Sequence, residues 1–145
     1  FSGDDGAGFH YAYTERDVLP IYRDALMNTD MRVLVYNGDT DPGINSFRTQ
    51  DKYFNYFDTS NGDINIDEDW RPWTLGTSHH RMGGYVTSYR ARNASQAQFH
   101  FVTIRGSGHM VPENKPPMAL AMIANFLGNN EFPIYEAPHS SRRRQ

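Results

Sequence analysis

Two short apolar runs, Arg32 to Tyr36 and Phe99 to Ile104, each empty into a glycine loop, and nothing else constrains the fold as much. Their near-continuous apolar character suits strands buried on both faces. The first run leads into Gly38-Asp39-Thr40-Asp41 and the second into Gly106-Ser107-Gly108-His109-Met110-Val111-Pro112. Around them the periodicity is helical. Glu15 to Met27 carries Val18, Leu19, Tyr22, Ala25 and Leu26 at helical spacing, with Thr14 as N-cap and Pro20 early enough to be tolerated. Ser46 to Phe57 places Phe47, Tyr53, Phe54 and Phe57 in the same rhythm, the last three on one face expected to be core. A last helix runs from Pro116 to Leu127, opened by a proline pair and stopped at Gly128.

Between these elements, Thr59 to Trp70 reads as polar and turn-rich. Arg71 to Leu75 and Gly84 to Tyr89 read as an antiparallel hairpin joined across residues 76–83. The order helix, strand, helix, hairpin, strand, helix predicts an α/β architecture of parallel strands with flanking helices and an antiparallel excursion. Two parallel strands cannot cover themselves, because parallel sheets occur almost only with both faces packed. The predicted topology is therefore incomplete without an upstream segment. Residues 1–145 form one domain-sized unit, with a flexible tail expected from 129 to 145 and Arg142-Arg143-Arg144 solvated within it. The start at Phe1 fits a mature chain or an excised piece.

The net charge of −3 supplies no broad basic surface for nucleic acid, and no apolar run reaches the ~20 residues that cross a bilayer. No signal peptide opens the chain. The absence of cysteine removes disulfides and thiolate metal sites. Asp63-x-Asn65-x-Asp67 begins like a calcium loop, but Glu68 stands where glycine is needed and Thr74 where the bidentate glutamate belongs. His79-His80 lacks a third ligand at useful spacing, and His10, His100 and His139 show no partner pattern. No metal or cofactor is expected.

In open α/β sheets reactive groups gather outside the carboxyl ends of the strands, which is where Asp41 and His109 fall. A base histidine needs a small-residue loop that lets its ring project into a cleft, and Gly106 and Gly108 supply it. A carboxylate partner would fix the tautomer and stabilise the imidazolium. Asp41 precedes Pro42 and is biased toward extended backbone, while Asp39, nearer the strand end, reads as the turn-former of the two. Acid then histidine, late in the chain, is the α/β-hydrolase order with the serine upstream. None of the nine serines sits in Gly-x-Ser-x-Gly.

Val33 to Asp41, the stretch from Phe99 to Pro112 with Pro116 four residues on, and Trp73 with Gly84-Tyr85-Val86 resemble the C-terminal third of the serine carboxypeptidase family. The likeness runs from about Tyr11 to Leu127. It implies the C-terminal part of an α/β-hydrolase fold, with Asp41 as the triad acid and His109 as the general base. It further implies that Met110 lines the pocket for the departing residue, with Ile44 nearby where several family members have cysteine. The implied reaction releases the C-terminal residue of a peptide through an acyl-enzyme. The serine and oxyanion donors would lie on an upstream segment or chain, so these residues alone are expected to be inactive. A homodimer, a lysosomal, vacuolar or secreted location, and a glycan on Asn93 of the Asn93-Ala94-Ser95 sequon accompany the resemblance. Two other readings of the same scaffold are a non-catalytic protective or binding chain and an acyltransferase.

Overall fold

The computed structural model describes residues 17–58, 62–76, 81–92 and 96–137. The elements are α1 (Leu19–Asn28), β1 (Arg32–Gly38), α2 (Ser46–Asp58), β2 (Ile64–Thr74), β3 (Met82–Ala91), β4 (Gln98–Ile104), α3 (Val111–Asn114) and α4 (Pro116–Leu127). Helix α1 begins four residues later than the periodicity predicts. Pro20 holds its first turn, and just ahead of the helix the Asp17 carboxylate accepts the Leu19 N–H at 3.1 Å. Thr14, the predicted cap, lies outside the described residues. In α2 the Asn45 side chain caps the first turn, accepting the Arg48 N–H at 3.0 Å.

One four-stranded sheet carries the molecule, in the order β1-β4-β3-β2. Parallel pairing sets Val33 beside Phe99 and Gly38 beside Ile104. The hairpin is part of this sheet, since β3 pairs antiparallel to β4 with Ser88 opposite His100. Strand β2 also reaches further back than expected: Ile64 to Trp70 is strand, not loop. Its burial alternates along Ile64, Ile66, Glu68 and Trp70, the period-two signature of a half-covered strand. The Asn and Asp residues between them mimic turn chemistry in sequence, and pairing with β3 overrides that preference.

Strand β4 is buried on both faces and divides the core. Phe99 and Phe101 face α1 and α2, where Tyr53 meets both rings at centroid distances of 4.8 and 5.4 Å and Phe57 packs at a tilt beside Tyr89 at 4.9 Å. Val102 and Ile104 face the other way, against Val111, Ala119 and Met122 of the C-terminal helices and against Trp73 and Phe132. Of the three aromatics expected as core on α2, Tyr53 and Phe57 are buried and Phe54 is exposed. Phe54 follows Tyr53 by one residue, 100° around the helix, and the buried stripe is narrower than the residues available for it.

The chain expected as tail from 129 begins with ordered packing. Phe132 is buried, Thr74 N–H donates to Pro133 O at 2.8 Å, and Ile134 forms a β-bridge with Trp73. Residues 138–145 lie outside the described set. On the opposite side, the outer edge of β1 carries no neighbour among the described residues. Strand β1 is accordingly only partly buried, and Ile21, Met31, Tyr36, Ile123 and Leu127 line an open apolar groove of about 530 Å³ beside it.

Candidate active site

The parallel register of β1 and β4 brings their two following loops to the same end of the sheet. His109 Nδ1 lies 2.8 Å from Asp41 Oδ2. Asp41 Oδ1 accepts the N–H groups of Gly43 and Ile44 at 2.7 and 3.1 Å, so both carboxylate oxygens are engaged and the side chain is 5% exposed. These bonds, His109 first and then the Ile44 and Gly43 amides, hold the Asp41 carboxyl below its usual range. An ionised Asp41 accepts the Nδ1–H of His109, which leaves the Nε2 lone pair on the solvent side. The imidazole is 66% exposed. Among the described residues no serine hydroxyl bonds it. A carboxylate-oriented imidazole that presents Nε2 to open space can take a proton from a group supplied from elsewhere.

The roles expected of the two aspartates are exchanged in one respect. Asp41 itself makes the local Asx turn, through the oxygen that His109 does not use. Asp39 ties the loops together, its Oδ1 accepting Gly106 N–H at 2.6 Å while its own N–H donates to Ile104 O at 3.1 Å. Thr40 adds two bonds to Ser107 O, from its N–H at 3.0 Å and its hydroxyl at 2.8 Å. Sequence reading missed Thr40 and Asn114, whose Oδ1 accepts Gly108 N–H at 3.1 Å. The parallel register is the signal that could have found Thr40, because it sets the residues after Gly38 beside those after Ile104.

Close approach of the loops demands glycine at position 38. A Cβ there would sit 2.2 Å from the carbonyl oxygens of Ser107 and Gly108. Gly106 takes φ +68°, the left-handed conformation that swings the chain off β4, whereas Gly108 has no positive φ and meets Asn114 instead. Met110 and Ile44 flank the pair in sequence, and both are exposed at 56% and 47%. Asn93 lies outside the described residues, as do His79 and His80. Among the described residues there is no cluster of three potential metal ligands.

A serine carboxypeptidase family model matches residues 5–129. The chain belongs to the serine carboxypeptidase family. It is 33% identical over 123 residues to serine carboxypeptidase-like 33 of Arabidopsis thaliana, covering 85% of this chain and 22% of that protein. It is 33% identical over 129 residues to serine carboxypeptidase ctsa-4.1 of Caenorhabditis elegans, covering 88% of this chain and 26% of that protein. A P-(S)-hydroxymandelonitrile lyase of Sorghum bicolor is 28% identical over 120 residues. The chain thus spans about a quarter of the length of these serine carboxypeptidase relatives. The mixed sheet with helices on both faces is compatible with part of the α/β-hydrolase fold of this family.

Proposed function

We propose that this chain supplies the acid and the base of a serine-type carboxypeptidase whose nucleophile lies on an upstream part of the protein. The observation that carries the reading is the Asp41–His109 pair, 2.8 Å apart at the carboxyl ends of two parallel strands. In the assembled enzyme His109 Nε2 takes the serine proton as the hydroxyl attacks the terminal peptide bond, and Asp41 stabilises the imidazolium without accepting its proton. His109 then returns the proton to the departing amino acid, and water repeats the cycle on the acyl-enzyme. Met110 and Ile44 form part of the wall that receives the departing side chain, their exposure beside the pair being what an incomplete pocket would display. These residues alone have no turnover, since loss of a serine nucleophile costs about a million-fold in kcat where it has been measured. A lysosomal, vacuolar or secreted setting with a glycan on Asn93 belongs to the same proposal.

The test is active-site labelling of the full-length protein with a fluorophosphonate. The label is expected on a serine upstream of these residues, and His109→Ala is expected to abolish it. Full labelling of the His109→Ala protein would defeat the proposal. The likeness to a plant lyase supports a second reading, in which the same pair serves a non-hydrolytic reaction. Release of free C-terminal amino acids from peptides by the wild-type protein, absent for the second reading, separates the two.

A further inference from the structure

The His109 ring is two-thirds exposed, so packing does not hold it in place. Its orientation depends on the bond to Asp41 and on where its backbone is fixed. The residue before last, Ser107, is fixed through its carbonyl by Thr40. The adjoining Gly108 N–H reaches a side chain on the far side of the histidine, the Asn114 carboxamide at 3.1 Å. Asn114 ends α3, and its own N–H donates to Met110 O at 2.8 Å. The Gly108–Asn114 bond therefore closes residues 108–114 into a ring with His109 inside it, and the Asn114–Met110 bond braces the part of that ring beyond the histidine. The fit is close, for a Cβ on Gly108 would lie 3.3 Å from Asn114 Oδ1.

We propose that Asn114 is a positioning residue for His109, acting through the Gly108 amide. The proposal rests on reading His109 as the base. Gly108 is only half-buried, so its amide can turn to water when Asn114 is removed. The loss then falls on the aim of the imidazole more than on the stability of the fold.

The experiment compares wild type, Asn114→Ala and Asn114→Asp in the full-length protein. Asn114→Ala is expected to lower kcat by about ten- to a hundred-fold, with KM for a peptide substrate held within about two-fold. Amide exchange at Gly108 is expected to quicken by about ten-fold or more. Asn114→Asp keeps the acceptor and should restore both quantities to within about three-fold of wild type. An unchanged kcat in Asn114→Ala, or an Asn114→Asp protein as impaired as the alanine variant, would overturn the proposal. Should Asn114→Ala fail to fold, Asn114→Thr, which removes the carbonyl yet stays polar, takes its place with the same expectations. A wild-type protein without peptidase activity would remove the proposed function and leave the clamp to be judged on exchange alone. In that event faster exchange at Gly108, reversed in Asn114→Asp, supports it, and unaltered exchange in Asn114→Ala ends it.

Discussion

Strand β4 carries a histidine inside it and another just beyond its end, and the two have opposite surroundings. His109 stands in solvent with a carboxylate behind it. His100 is largely buried, its Nδ1 paired with Ser88 Oγ at 2.7 Å and its ring set against Phe126 and Phe132 at 6.0 Å each. It borders a polar cavity of about 420 Å³ that Arg32, Asp67, Arg90 and Gln98 also line. Burial, reinforced by the nearby positive charge of Arg32 and Arg90 and opposed by Asp67, lowers the His100 pKa to about 4. One imidazole is thus oriented by a carboxylate with its ring open to solvent, and the other is buried and kept from gaining a proton. The residue type is the same, and the difference lies in what the neighbouring elements offer: an anchored carboxylate from the loop after β1 at one end, a hydroxyl and two guanidinium groups at the other.

The contrast can be broken most severely at the Asp41–His109 end. Asp41→Asn in the full-length protein should lower kcat by about 10⁴-fold, by the tautomer argument that applies to a triad acid. Peptide hydrolysis by the purified variant checks this, and a loss below ten-fold would mean that Asp41 does not orient His109. At the same end, Gly38→Ala forces a methyl group into two carbonyl oxygens. It should cost roughly 3 kcal/mol of stability in urea unfolding, as overpacking of a rigid contact does.

The buried histidine sets a pH slope. The folded protein holds His100 at about 4 where 6.5 is ordinary, so the unfolded chain binds more protons between those values. Stability contributed by the neutral imidazole is present above pH 6.5 and is lost as pH falls from 6.5 toward 4. The integrated loss is on the order of 3 kcal/mol, and His100→Gln should flatten it in denaturant titrations across that window. The smallest effect belongs to Ser88→Ala, expected to cost about 1 kcal/mol at neutral pH because one buried hydrogen bond is withdrawn. Thermal unfolding is sensitive enough to detect it.

Sequence carried the Asp41–His109 end further than the opposite one. Asp41 and His109 were legible because strand, glycine loop and acid or base follow one another within a few residues, and parallel strands put such loops together. Asp39 and Thr40 were misread or missed because their partners, Gly106 and Ser107, are 67 residues away and become neighbours only through the β1–β4 register. The Ser88–His100 pair was hidden for the same reason, since it depends on how β3 lies against β4. Strand β2 was half missed where Asn and Asp interrupt its isoleucines, and Phe54 shows that periodicity counts apolar residues without knowing how wide the buried stripe will be. The packing of Phe132 had no local signal at all, because a single aromatic beyond a glycine stop resembles a tail until Trp73 is folded beside it.

The open rim of β1 has a practical consequence for anyone handling these residues in isolation. A parallel strand whose outer row of backbone donors and acceptors has no strand partner among the described residues, bordered by Ile21, Met31, Ile123 and Leu127, is a template for self-adhesion. Expressed alone, residues 1–145 should precipitate or form soluble aggregates. Recovery from bacteria would then depend less on the Asp41 and His109 loops than on whatever first caps that sticky border.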